Sequence, residues 1–213
     1  MRIISGSGKG RKLFTPPARE DIIRPTSDRA REAIFNIIAD RVPGASVLDL
    51  FAGTGALGIE ALSRGAKNVC FVDSHPQALD LISRNIQVCM NALSQHPDVH
   101  NADSTDIPLD MPTPATLIKH DLRKGLPYFS KKLQSPPGFD LIFLDPPYSQ
   151  GLAIQLLHAL DTSSLLRPHT LLIVEERAKE TLPERLTRLT LVDQRKYGEA
   201  GFWFYQPLPD QTT

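Results

Sequence analysis

From residue 46 onward, the sequence alternates short apolar runs with longer stretches of helical periodicity. The apolar runs are Val47–Leu50, Val69–Val72, Leu117–Ile118, Leu141–Leu144 and Leu171–Val174. Each run is continuous, which is typical of strands that are covered on both faces. Between most of them, apolar residues recur at helical spacing in Ala56–Arg64, Pro76–Leu93 and Leu152–Leu160. The pattern predicts an α/β fold with a mainly parallel, doubly wound sheet.

The two ends of the chain depart from this alternation. Leu189–Arg195 and Phe202–Gln206 are separated by a short polar segment, which predicts an antiparallel hairpin that closes the sheet. At the other end, Arg2–Ser5 and Lys12–Phe14 flank a glycine-rich turn. These two segments predict a small N-terminal β-hairpin.

The domain organisation follows from proline content and periodicity. Residues 1–26 are predicted to form a basic hairpin and linker, and residues 27–213 the α/β domain. Thr15–Pro25 is rich in proline and reads as an extended linker, with Ser27 as the N-cap of the helix that follows. Residues 94–115 lack periodicity and are predicted to be an irregular insertion.

Charge is distributed unevenly along the chain. The 24 basic and 24 acidic residues cancel, but residues 1–31 contain eight basic and three acidic residues, or +5, which leaves −5 for the remainder. This asymmetry indicates polyanion contact near the N-terminus. The residues predicted to contact nucleic-acid phosphates are Lys9, Arg11, Lys12, Arg24 and Arg29. The alternatives are a solvated hairpin for the first three, and a cofactor contact or a plain helix start for Arg24 and Arg29.

Composition excludes several classes of protein. No apolar run is long enough for a signal peptide or a membrane span. Cys70 and Cys89 do not form a CxxC pair, and the six histidines lack metal-ligand spacing. We therefore expect a soluble, cytoplasmic monomer with no metal and no membrane partner.

A glycine-rich turn follows the first predicted strand, with the sequence Asp49-Leu-Phe-Ala-Gly-Thr-Gly-Ala-Leu-Gly58. Glycines at a strand-to-helix turn let a ligand approach the backbone, and the helix N-terminus offers free N–H donors. The glycines also spell GxGxxG, so a nicotinamide dinucleotide and S-adenosylmethionine both remain candidate ligands on this motif alone.

Of two carboxylates near this turn, Asp49 favours S-adenosylmethionine over a nicotinamide dinucleotide. Asp73 ends the next strand and could accept hydrogen bonds from ribose hydroxyls in either kind of site. Asp49 would repel a pyrophosphate, whereas the ammonium and sulfonium of S-adenosylmethionine would attract it. A tight turn without a ligand, capped by an aspartate, is the alternative. The residues predicted to bind this cofactor are Asp49, Phe51, Gly53, Gly55, Gly58 and Asp73.

A second motif, Asp145-Pro-Pro-Tyr148, follows the strand Leu141–Leu144 and predicts the chemistry. Its prolines remove two N–H donors and hold a kink at the carboxyl edge of the sheet, where open α/β sheets bind ligands. Two acceptors there, the Asp145 carboxylate and the Pro146 carbonyl, can orient an exocyclic amine toward a methyl donor. The tyrosine offers a flat face to an unstacked base. The predicted catalytic residues are Asp145, Pro146, Pro147 and Tyr148; the alternative is a Pro-Pro strand stop with a core tyrosine.

Together the two motifs resemble those of class I methyltransferases that act on exocyclic amines. The opening Arg-Ile-Ile-Ser-Gly and the segment Arg24-Pro-Thr-Ser-Asp-Arg-Ala-Arg-Glu32 are similar to the bacterial RsmD family, whose members methylate guanine N2 in small-subunit ribosomal RNA. The resemblance covers nearly the whole chain. It implies a Rossmann-like, seven-stranded sheet, S-adenosylmethionine as donor, and an assembled or partly assembled small ribosomal subunit as substrate.

Some alternatives remain open. The insertion is longer than is usual in this family, so Asp121 is predicted to contact the cofactor adenine and Asp103 is the alternative. Asp-Pro-Pro-Tyr also occurs in adenine N6 methyltransferases that act on DNA or RNA. A nicotinamide-dependent oxidoreductase and a non-catalytic RNA-binding assembly factor are the rivals from other classes. Neither gives the Asp145–Tyr148 motif a role.

Overall fold

The computed structural model of the chain describes residues 1–16, 28–93, 114–129, 138–148 and 150–209. The helices are α1 (Asp28–Ile37), α2 (Ala56–Ser63), α3 (Pro76–Leu93) and α4 (Leu152–Asp161). The strands are β1 (Ser46–Leu50), β2 (Asn68–Asp73), β3 (Ala115–Lys119), β4 (Phe139–Leu144), β5 (Leu166–Arg177), β6 (Leu189–Tyr197) and β7 (Ala200–Pro207).

The strands form one seven-stranded sheet in the order β3-β2-β1-β4-β5-β7-β6. The first five strands run parallel to one another, and β7 pairs antiparallel with both β5 and β6. The last hairpin therefore folds back, so that its second strand lies between β5 and β6. The predicted Rossmann-like α/β fold with a closing antiparallel hairpin is confirmed.

Apolar layers cover both faces of β1, β2, β4 and β5, which explains why their apolar runs are continuous. The edge strand β3 is only partly buried, and Leu117 in its apolar run is exposed. In β1 every residue is buried, with Val47 on the side of α2 and α3 and Leu48 on the side of α4. The predicted strand Leu171–Val174 is extended to twelve residues as β5, because it pairs with β4 on one edge and β7 on the other. None of the helices in the described ranges carries an apolar stretch long enough to cross a membrane.

The N-terminal hairpin is present, and it packs against the core. Arg2 and Lys12 form an antiparallel bridge, and the backbone N–H of Leu13 donates to the Met1 carbonyl at 3.2 Å. Ile3 and Leu13 are buried in the same cluster as α1 and α2. The buried carboxylate of Glu60 in α2 accepts the backbone N–H groups of Ile4 and Ser5. The hairpin is therefore held to α2 by side-chain and backbone contacts.

Several predictions fall outside the described residues. They concern Arg24, the cap at Ser27, Asp103, the domain boundary between residues 26 and 27, and most of the linker and the insertion. Ala115, the last residue of the predicted insertion, begins β3 because it pairs with Val69 of β2.

Candidate active site

The candidate site lies where the strand order changes direction, between β1 and β4. Helix α2 follows β1 and packs on one face of the sheet, whereas α4 follows β4 and packs on the other. The two connections leave a crevice at the carboxyl ends of these strands, the usual ligand position in open α/β sheets. The sheet brings to this edge the predicted acids that lie at or near the carboxyl ends of four parallel strands: Asp49, Asp73, Asp121 and Asp145.

The turn between β1 and α2 uses left-handed backbone conformations at three positions. Gly53 and Gly55 have φ values of 56° and 76°, which glycine adopts without steric cost. Phe51 has φ of 60°, and for a non-glycine residue such a conformation costs on the order of 1–3 kcal/mol. Strain of this kind is typical of ligand-binding turns. Phe51, Gly53 and Gly55 thus shape the predicted cofactor loop.

Gly58 lies beneath the turn, in the first residues of α2. A Cβ atom at this position would lie 2.3 Å from the Phe71 ring of β2, so only glycine allows α2 to approach the sheet this closely. Its backbone N–H donates to the Asp49 carboxylate at 2.9 Å. Among the residues predicted to bind the cofactor, Gly58 therefore serves the packing of the helix and anchors Asp49.

The Asp49 side chain is 2% exposed, and its environment is unusual for a carboxylate. Burial raises its pKa to about 7, an effect that the hydrogen bond from Gly58 opposes and the nearby charge of Asp73 reinforces. With such a pKa, Asp49 is only partly ionised near neutral pH. A cation beside it would stabilise the ionised carboxylate.

Asp73 holds the glycine turn through both carboxylate oxygens. One oxygen accepts the Gly53 N–H at 2.9 Å, and the other accepts the His75 N–H at 2.8 Å. A carboxylate offers about four lone-pair sites, so these bonds leave acceptor capacity for a ligand hydroxyl. The Nδ1 atom of His75 is buried and has no hydrogen-bond partner in the described part of the chain. Sequence reasoning did not single out His75; its position two residues after a strand-end acid was the available signal.

Asp121 follows β3 as predicted and begins a short 3-10 turn (Leu122–Lys124). Its carboxylate accepts the backbone N–H of Arg123 and forms an ion pair with that side chain at 2.8 Å. The contact lowers the pKa of Asp121, first through the side-chain hydrogen bond from Arg123. Its role toward an adenine ring stays a prediction, and the alternative residue lies outside the described ranges.

The Asp145–Tyr148 segment leaves β4 directly beside the glycine turn. The backbone N–H of Asp145 donates to the carbonyl of Leu50, the last residue of β1, at 3.4 Å. Pro146 is buried, Pro147 is exposed and Tyr148 is half-buried. Asp145 borders a small cavity whose other lining residues are Ile34, Leu57, Phe143, Leu144, Ile173, Glu175 and Phe202.

Glu175 is a site residue that sequence reasoning missed. It lies near the end of β5, is 5% exposed and accepts a hydrogen bond from the Tyr148 hydroxyl at 2.7 Å. The guanidinium of Arg177 lies 5.9 Å from the centre of the Tyr148 ring. The available signal was an acid placed directly after the apolar run Leu171–Val174, as at the other strand ends.

The predicted RNA contacts within the described ranges are all exposed to solvent. They are Lys9, Arg11, Lys12 and Arg29. Arg2, Lys9 and Arg29 line a groove between the hairpin and α1, together with Ile3, Ile4, Gly10, Asp28 and Glu32. Arg31 contributes to the +5 charge of this region, but it is fully buried, and it bonds Asp28 and the Arg2 carbonyl. The positive charge available to a polyanion is therefore smaller than the sequence count.

Comparison with known proteins bears directly on these motifs. A family model described as "Conserved hypothetical protein 95" matches residues 1–206. The chain belongs to this family. It is the RsmD family that the sequence motifs resemble, so that prediction is confirmed. The match includes the hairpin, the glycine turn and the Asp145–Tyr148 segment in one continuous range.

Two relatives and one solved structure give the extent of the family likeness. "Ribosomal RNA small subunit methyltransferase D" of Haemophilus influenzae is 33% identical over 208 residues, 97% of this chain and 93% of the relative. The Escherichia coli K12 protein of the same name is 28% identical over 206 residues, 97% of this chain and 89% of the relative. A Thermus thermophilus structure named as a hypothetical protein has a TM-score of 0.70 at 26% identity, covering 96% of this chain and 98% of that one.

Proposed function

We propose that this chain transfers a methyl group from S-adenosylmethionine to the exocyclic N2 amine of a guanine in small-subunit ribosomal RNA. The names of the Haemophilus influenzae and Escherichia coli relatives support ribosomal RNA methylation. The single observation that carries the proposal is the contact between the motifs: Asp145, which opens the Asp-Pro-Pro-Tyr segment, bonds the end of β1, from which the glycine turn begins.

The residues of the turn fit S-adenosylmethionine. This cofactor supplies an electrophilic methyl group on a cationic sulfonium. The buried Asp49 carboxylate, with its pKa raised to about 7, suits a positively charged ligand and opposes a pyrophosphate. Asp73 keeps acceptor capacity for ribose hydroxyls, and the buried Nδ1 of His75, which no described group bonds, lies two residues from it. These side chains therefore favour a cationic nucleoside over a nicotinamide dinucleotide.

The Asp145–Tyr148 segment positions the methyl acceptor. The Asp145 carboxylate and the Pro146 carbonyl accept the two amine hydrogens, which favours a tetrahedral nitrogen whose lone pair faces the donor. The carboxylate also stabilises positive charge that develops on this nitrogen. The Tyr148 ring, with its hydroxyl held by Glu175, gives the flipped base a face to stack on.

The N-terminal hairpin and α1 form the RNA-facing side of the proposal. Exposed Lys9, Arg11, Lys12 and Arg29 contact phosphates, as does Arg24 from outside the described ranges. The Lys9–Arg29 groove lies between two elements that both pack on α2, the helix that follows the cofactor turn. The chain acts as a monomer on an assembled or partly assembled small subunit.

A single substitution in the catalytic motif tests the chemistry. Asp145→Asn preserves the side-chain volume and removes the charge, so methyl transfer in a single turnover should fall by at least about a hundredfold. Asp140→Asn is the matched control, because Asp140 lies in β4, the strand that Asp145 follows, but accepts hydrogen bonds from Ser46 and Arg167. The control should transfer methyl groups at the wild-type rate. An unchanged rate in Asp145→Asn, or N6-methyladenosine as the product, would contradict the proposal.

A further inference from the structure

The buried carboxylate of Glu175 lies next to the Asp145–Tyr148 segment. Leu144 of β4 pairs with Val174 of β5, so Asp145 and Glu175 are the next residues along two neighbouring parallel strands. Asp145 and Glu175 both border the same small cavity, whose other lining residues are apolar. Burying a carboxylate in such surroundings is unfavourable unless hydrogen-bond donors reach it. Glu175 therefore places a second acid beside the catalytic acid.

The Tyr148 hydroxyl supplies one such donor. It bonds Oε1 of Glu175 at 2.7 Å, which fixes the carboxylate at the end of β5 and fixes the tyrosine ring at the same time. The neighbouring acid Glu176 differs in its contacts. It is also buried, but its carboxylate accepts the backbone N–H of Arg177, and alternation along β5 directs it to the other face of the sheet. Glu175 is thus the acid of β5 that shares a cavity with Asp145.

On the Watson–Crick edge of guanine, the N1–H and the N2 amine are neighbouring donors, and the O6 acceptor lies on the other side of N1. Adenine instead has an acceptor lone pair at N1. Two neighbouring acceptors, Asp145 and Glu175, match the guanine pattern. For adenine, a carboxylate would face the N1 lone pair and repel it.

We propose that Glu175 determines base specificity by accepting a hydrogen bond from the N1–H of the target guanine while Asp145 accepts from N2. The proposal rests on the proposed function and adds a residue that selects guanine over adenine. It predicts that a base which keeps the N2 amine but lacks the N1–H is a poor substrate. 2-Aminopurine is such a base, because its N1 is an acceptor.

The experiment compares guanine with 2-aminopurine at the mapped nucleotide. Small-subunit RNA is ligated around a synthetic segment with either base and assembled with small-subunit proteins, and kcat/KM is measured for each. Wild-type protein should prefer guanine by roughly tenfold to a hundredfold, the scale of one charge-assisted hydrogen bond. Glu175→Gln should lower this preference to less than about threefold, because an amide N–H can donate to N1.

Two further variants separate specificity from placement of Tyr148. Tyr148→Phe removes the same hydroxyl contact but keeps the carboxylate, so the preference for guanine should persist even if the overall rate falls. Glu176→Gln makes the same chemical change at the adjacent buried acid and should keep both the rate and the preference. Melting temperatures of all variants check that the fold is intact.

The outcomes distinguish the proposal from the function on which it rests. If Glu175→Gln lowers methylation of both bases by the same factor, Glu175 only holds Tyr148 and the specificity role is wrong. Equal use of both bases by the wild-type protein would also overturn it. If the wild-type protein forms no N2-methylguanosine on the guanine substrate, the proposed function itself fails.

Discussion

Ionisation of the buried Asp49 carboxyl should lower the free energy of unfolding of the chain without its cofactor. Its pKa is raised from 3.8 to about 7, mainly by burial. Below about pH 4 the group is protonated in both folded and unfolded chains and costs nothing. Between about pH 4 and 7 the unfolded chain ionises first, so stability is lost as pH rises. Since one pKa unit corresponds to about 1.4 kcal/mol, the loss above pH 7 reaches about 4 kcal/mol at most.

Asp49→Asn removes this ionisation and keeps an oxygen that can accept the Gly58 N–H. We expect its free energy of unfolding at pH 8 to exceed that of the wild type by as much as about 4 kcal/mol, and the difference to vanish near pH 4. Urea denaturation of both proteins without cofactor, in steps between these pH values, measures the difference. Calorimetry should show weaker S-adenosylmethionine binding by the variant. A stability difference independent of pH, or a less stable variant at pH 8, would refute the reasoning.

Two further predictions concern the ligands. Asp73→Ala removes an acceptor for ribose and the hydrogen bond that holds Gly53, so S-adenosylmethionine affinity in calorimetry should fall by roughly tenfold to a hundredfold. Asp80→Ala, at an exposed ion pair of α3, is the control. If Asp73→Ala binds the cofactor as tightly as this control, Asp73 is not part of the site. Lys9→Gln with Lys12→Gln should reduce the slope of log affinity for RNA against log salt by about 0.7–0.9 per lost phosphate contact and leave cofactor affinity unchanged; an unchanged slope would make these lysines solvated surface residues.

Substitution of these lysines is a cleaner test than deletion of the hairpin, because the hairpin packs against the core of the domain. Proline content and periodicity predict a basic hairpin and linker, residues 1–26, separate from the α/β domain. In the folded chain Ile3 is buried, Glu60 bonds the hairpin backbone, and the buried Asn85 joins Phe14 to the Thr54 carbonyl in the cofactor turn. Truncation would expose core and disturb this turn. Such contacts join residues more than 30 positions apart, and no local pattern encodes them.

The central sheet was predictable because its signal is local. Continuous apolar runs mark strands buried on both faces, and α3 begins and ends at the predicted residues Pro76 and Leu93. The predicted edge of the sheet also brings Asp49, Asp73 and Asp145 together, since parallel strands end on the same side. β7 lies between β5 and β6, a position that depends on pairing between strands and that the hairpin pattern alone did not specify.

Burial of charged residues was the part that sequence could not supply. Arg31 counts toward the basic N-terminus but is enclosed by α1 and the hairpin, and burial lowers its pKa. Glu175 reads as an ordinary strand-end acid until the register with β4 places it beside Asp145. Both facts depend on which elements pack together. They concern the site most directly, because they change which charges face the substrate.

The most direct test of the central claim is mass mapping of small-subunit ribosomal RNA nucleosides from cells with and without this gene. The account predicts that one N2-methylguanosine disappears with the gene, returns with the wild-type chain, and does not return with Asp145→Asn. Small-subunit RNA with the same N2-methylguanosine content in both strains, or the loss of N6-methyladenosine in its place, would contradict it.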